Sequence, residues 1–237
     1  MNNDLSQEKL EEIRKNNLYK IHHITEAGKY LPNTILESYT AIYIYLESLQ
    51  KEYENELITL FNQFNKDYPN SSYTKYLTPL INEDIKFHKI SESEFSRKIR
   101  FIEDYQNIKE LKEAVRSLKG NKIYVDVWAT WCGPCKAEFK HKVELTKLLD
   151  SRHVKILYIS IDKDEKDKQW KDMIKYYNLE GYHIRANKEM TANLRMIFDQ
   201  NGSISIPWYI LINESGKILM KHASSPSKIK ELGKQIN

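Results

Sequence analysis

Cys132 and Cys135 are the only cysteines in this 237-residue chain, and they lie in the run WATWCGPCK at 128–136. Two thiols at this spacing can be half of a zinc site, a redox pair, or unrelated core side chains. Structural zinc needs four ligands. No second CxxC is present, and the adjacent His22 and His23 are far away in sequence. Redox chemistry is the favoured reading, because Gly133 and Pro134 form a tight turn that keeps both sulfurs within bridging reach. Cys132 is expected where a strand ends and a helix begins, so unpaired N–H groups and the helix dipole stabilise its thiolate. Such settings lower a thiol from about 8.5 to roughly 3.5–7.5. Cys135, one turn further in, is expected to be the less accessible resolving thiol. Pro134 sits early in the helix, where a missing N–H costs little, and Lys136 adds a modest favourable field.

Two acids stand close to this pair in sequence. Asp126 interrupts an otherwise apolar strand, KIYVDVW, which is an expensive place for a charge unless the position faces solvent. Glu138 follows Cys135 by three residues and shares its helix face; the alternative is an ordinary surface Glu. Trp128 and Trp131 flank the site as apolar walls and a docking surface for a partner protein, with core packing the alternative for both and the favoured one for Trp128. Pro207, before the strand WYILI, is compatible with a simple strand start.

The elements that hold these residues fall into two textures. Residues 1–92 read as an all-helical domain, with helices over about 4–28, 34–49, 52–68 and 72–90, the last one open to a break at Pro79. The polar cluster SESEFS at 91–96 marks the boundary, and 93–237 forms the second domain. There, strands at 98–102, 122–128 and 154–161 alternate with helices at 108–118, 136–149, 165–177 and 190–198. A hairpin at 208–212 and 217–221, turning on NESG, precedes a final helix at 227–235. The expected fold class is α/β, a mixed sheet covered by helices on both faces and preceded by an all-α domain. His183 and the charged run 162–172 read as solvated surface.

Composition excludes several classes. The net charge of +4 arises from 37 basic and 33 acidic residues without a basic block, so no nucleic-acid partner is expected. No apolar stretch is long enough for a membrane span, and no metal or nucleotide motif is present, so no cofactor is expected. The 16 tyrosines, concentrated before residue 80, read as helix packing rather than as a stacking surface.

The run YVDVWATWCGPCK at 124–136 resembles thioredoxin. The ATWC wording, Glu138 and the longer insertion after the second strand are most similar to the TlpA/ResA-type thiol–disulfide oxidoreductases of bacterial envelopes, in a Bacteroides-type form with a helical N-terminal region. The resemblance covers about 97–237 and implies a thioredoxin-like sheet. It implies that Pro207 is cis, and that Ile206 and Pro207, with Trp131, Gly133 and Pro134, form the surface a substrate touches. It also implies that Asp126 is the buried acid that relays a proton from the resolving Cys. TlpA/ResA-type proteins usually carry Asn at that place, so this chain holds two candidate relay acids that would titrate together. Protein thiols or disulfides are the expected substrates, with a redox partner protein and a lean toward reduction. The expected location is the bacterial periplasm or cell envelope after removal of an export signal, with the cytoplasm as the alternative. A thiol peroxidase remains an alternative although PxxxTxxC is missing, as does a client-binding or chaperone module with a secondary redox site.

Overall fold

The computed structural model describes residues 19–199 and 202–236. The chain divides into two units, Met1–Lys89 and Ile90–Asn237. The first unit is helical: α1 (Tyr19–Ala27), α2 (Asn33–Gln50), α3 (Asn55–Asp67) and α4 (Thr74–Ser91), the last running just past the division. The part of the expected first helix before Tyr19 lies outside the described residues. Apolar spacing explains the packing, since Leu57, Leu60, Phe61 and Phe64 fall on one face of α3 and meet Ala41, Ile44, Leu77 and Ile81. Glu56 fixes the start of α1 by accepting hydrogen bonds from the N–H groups of Lys20 and Ile21 at 2.6 and 3.0 Å. Pro79 does not break α4. It removes one helical hydrogen bond, and the buried Leu77, Ile81 and Phe87 on either side anchor the continuous helix.

The second unit is built on six strands: β1 (Ile99–Phe101), β2 (Lys122–Trp128), β3 (Val154–Ser160), β4 (Gly181–Arg185), β5 (Trp208–Ile212) and β6 (Ile218–Met220), in the order β1-β4-β3-β2-β5-β6. The β1, β4, β3 and β2 neighbours are parallel, whereas β5 and β6 run antiparallel. The intervening helices are α5 (Leu111–Arg116), α6 (Gly133–Glu138), α7 (Lys142–Ser151), α8 (Asp167–Tyr176), α9 (Lys188–Phe198) and α10 (Ile229–Ile236). One sheet face, carrying Tyr124 and Tyr209, packs on Leu145 and Leu149 of α7 and Leu232 and Ile236 of α10. The other, carrying Ile212, meets Leu111 and Val115 of α5 and Ile197 of α9 around a small cavity of about 150 Å³. This is the expected thioredoxin-like mixed sheet.

Three readings are corrected here. β4 was not foreseen, and His183 is a fully buried strand residue rather than solvated surface. Its ring stacks on Tyr158 at 5.0 Å and its Nε2 pairs with the Leu179 carbonyl at 2.8 Å. Burial pushes its pKa down to about 4, so it sits there neutral. The charged run also dips into the protein, because Asp162, Trp170 and Asp172 are buried. Each has a local reason: Asp162 accepts hydrogen bonds from Thr130, Trp170 packs edge-on against Phe101, and Asp172 pairs with Lys168.

Candidate active site

β2 ends at Trp128, whose buried ring packs edge-on against Phe139 at 5.2 Å and fixes the line on which α6 begins. Cys132 is the residue that caps α6, with extended backbone angles (φ −80°, ψ 98°). Its Sγ accepts a hydrogen bond from the Cys135 N–H at 3.1 Å, and its carbonyl accepts one from the Lys136 N–H at 3.1 Å. Pro134 occupies the first turn, where no N–H is required. Cys132 and Cys135 are joined as a disulfide with a Cα–Cα distance of 5.3 Å. Both are buried in this state, Cys132 at 3% and Cys135 at 1% exposure. Trp131, Gly133 and Pro134 are exposed around them.

The loop before the pair is clamped from behind. The Asp162 carboxylate accepts from the Thr130 N–H at 2.9 Å, from the Thr130 hydroxyl at 2.7 Å and from the Ser160 hydroxyl at 2.7 Å. All three residues are buried. A buried carboxylate must be matched by donors, and here two of the three belong to Thr130, two residues before Cys132, and the third to Ser160 at the end of β3. Sequence reasoning missed this triad. The only signal was polar Thr, Ser and Asp at the ends of two apolar strands.

The Ile206–Pro207 peptide bond is cis. Ile206 and Trp131 line one groove of about 1130 Å³, together with Ile161, Ile204 and Ala186 and the charged Arg195. The structure thus brings Trp131 and Ile206 to a common surface beside the cysteine pair.

Asp126 is buried in β2, and its Oδ1 has no hydrogen-bond partner among the described residues. Burial first, and the nearby Glu138 second, push its pKa well above the usual carboxylate range. Glu138 closes α6 and is half-buried; its two carboxylate oxygens accept from the Ser227 N–H and hydroxyl, each at 2.8 Å. The strand position of Asp126 is therefore not solvent-facing, and the two acids lie close enough to influence each other. Tyr209, paired with Asp126 across β2 and β5, was missed because strand register is not readable from local pattern. Among the described residues, no group of three or more His, Cys, Asp or Glu is arranged to hold a metal ion. No described helix is long and apolar enough to cross a membrane.

A family model described as Redoxin matches residues 103–236. Thiol-disulfide oxidoreductase ResA of Bacillus thuringiensis subsp. konkukian is 28% identical over 127 residues, covering 53% of this chain and 69% of that protein. ResA of Bacillus subtilis is 26% identical over 132 residues, covering 55% of this chain and 68% of that protein. The solved thioredoxin domain of a thiol-disulfide oxidoreductase from Bacteroides vulgatus is 20% identical, with a TM-score of 0.42, over 52% of this chain and 84% of that one.

Proposed function

Since this chain belongs to the Redoxin family and its ResA relatives are thiol–disulfide oxidoreductases, it is a thiol–disulfide oxidoreductase, and we propose that it reduces protein disulfides through Cys132 and Cys135. The observation that carries the site assignment is the placement of Cys132 Sγ at the head of α6, hydrogen-bonded to a backbone N–H, beside a groove lined by Trp131 and Ile206. In the reduced enzyme, the Cys132 thiolate attacks one sulfur of a substrate disulfide. A mixed disulfide forms and the other substrate sulfur leaves as a thiolate, which takes a proton from water. Cys135 then loses its proton, with the buried Asp126 as the base, and attacks Cys132 Sγ. The second substrate thiol departs, and two electrons have passed from the enzyme dithiol to the substrate.

Trp131, Gly133 and Pro134 supply exposed contact area for the protein substrate, and Ile206, held by the cis bond to Pro207, supplies part of the groove wall. The Gly-Pro dipeptide between the cysteines is the one found in thioredoxin, which supports reduction over oxidation. The similarity to TlpA/ResA-type proteins supports action in the bacterial periplasm or cell envelope, with a second redox protein restoring the dithiol; fractionation of cells expressing the native gene tests the location. The direction of electron flow is tested by equilibrating the pair against glutathione. A potential near about −270 mV supports a reductase, and one above about −150 mV overturns that role.

A further inference from the structure

Strand register sets a row of side chains across one face of the sheet. Asp126 of β2 lies directly opposite Tyr209 of β5 on one side and Tyr158 of β3 on the other. Directly opposed residues of an antiparallel pair place their Cβ atoms about 4.5–5.5 Å apart on the same face. Two polar atoms on these facing strands, Asp126 Oδ1 and Tyr209 Oη, are both buried without a hydrogen-bond partner among the described residues. Orphaned buried polar atoms are rare in folded proteins and call for a reason.

A phenol reaches further from the backbone than a carboxylate does, so the Tyr209 hydroxyl extends past Asp126. Burial first, then Asp126, then Glu138 and Tyr158 hold the hydroxyl in its neutral form. A neutral hydroxyl donates one hydrogen bond while accepting another, so it can pass a proton without ever carrying a charge. Glu138 in turn is held by the N–H and hydroxyl of Ser227 and is half-buried.

We propose that the Tyr209 hydroxyl links Asp126 to Glu138, so that the two acids form a single proton path from the buried Cys135 thiol to solvent. The inference rests on the reading that Asp126 accepts the Cys135 proton. In the resolving step, the Cys135 S–H gives its proton to the Asp126 carboxylate as the thiolate attacks Cys132 Sγ and the substrate thiolate leaves. No direct hydrogen bond joins Tyr209 to Asp126 Oδ1 or to Glu138 in the structure, so protonated Asp126 then donates to Tyr209 through a water as the Tyr209 O–H donates through a water to Glu138. Glu138 releases the proton to solvent, and every group returns to its starting state. Tyr209 is a positioning residue in this scheme, since it touches neither substrate nor sulfur.

The test uses the full chain in rapid-quench reactions with a peptide disulfide, following formation and resolution of the mixed disulfide separately from about pH 5 to 9. Tyr209→Phe keeps the ring and its packing. It is expected to slow resolution about tenfold at neutral pH and to displace the pH–rate profile, a fraction of the 10²–10⁴ that a positioned general base contributes. Glu138→Gln is expected to do the same, and the double variant to be no slower than either alone. A purely structural effect of Tyr209 would lower the rate without moving the profile. A Tyr209→Phe profile that superimposes on the wild type, or effects of Tyr209→Phe and Glu138→Gln that multiply, overturns the link. Asp126→Asn separates the two levels: wild-type resolution in that variant removes the base and the path together, whereas a slowed Asp126→Asn beside an unaltered Tyr209→Phe removes the path alone.

Discussion

Replacing Asp162 with Ala strips the acceptor from three buried donors at once: the Thr130 N–H, the Thr130 hydroxyl and the Ser160 hydroxyl. A buried donor left without a partner costs about 1–3 kcal/mol. The two hydroxyls can rotate toward other acceptors, whereas the amide cannot, so the expected loss is about 2–4 kcal/mol rather than three full penalties. Asp162→Asn keeps one acceptor oxygen and is expected to lose about half as much. Urea denaturation of the oxidised chain, followed by tryptophan fluorescence, measures this as a lower midpoint at constant slope. The loop that loses its clamp carries Trp131 and leads into Cys132, so the rate of mixed-disulfide formation is expected to fall in the same variant. An Asp162→Ala protein within about 0.5 kcal/mol of wild type, the range of featureless surface substitutions, refutes the clamp.

Other consequences are directly measurable. Burial, with Glu83 and Glu54 adding to it, raises Asp84 in α4 to about 7. The folded state then holds this proton more tightly than the unfolded chain does, so stability falls as pH rises from about 4 to about 7 and levels off above. Asp84→Asn is expected to remove that slope in thermal melts, raising Tm relative to wild type at pH 8 but not at pH 4; parallel curves at both pH values contradict it. Trp131 is 57% exposed, so Trp131→Ala is expected to leave stability within about 0.5 kcal/mol while raising KM severalfold for a protein disulfide and leaving exchange with glutathione nearly unchanged. An equal loss with both substrates would remove Trp131 from the docking surface.

The parts of the fold that were legible in the sequence are those set by local pattern. β2 and β3 are apolar runs bounded by turns, and the helices of the first unit repeat Leu, Ile and Phe at helical spacing. The cysteine turn was equally plain, since Gly133, Pro134 and the strand before them define its geometry without reference to distant residues. β4 was hidden because GYHIR holds one strongly apolar side chain. Its polar members are buried by partners elsewhere in the chain: Tyr158 under the His183 ring, and Asp164 and Asp167 against the Arg185 guanidinium. Asp162 looked like the first residue of a solvated run for the same reason, because two of its three donors come from Thr130, 32 positions away. Asp126 announced itself by sitting in an apolar strand, but its pairing with Tyr209 depends on β5 returning antiparallel beside β2, which only the sheet topology specifies.

The central claim is that Cys132 attacks and Cys135 resolves. Its most direct measurement is covalent trapping with an oxidised protein substrate, read by intact-mass spectrometry after non-reducing separation. Cys135→Ser is expected to accumulate one substrate molecule per chain, attached through Cys132 and released by dithiothreitol, while Cys132→Ser accumulates none. Trapping by Cys132→Ser through Cys135, or by neither variant, would contradict the account.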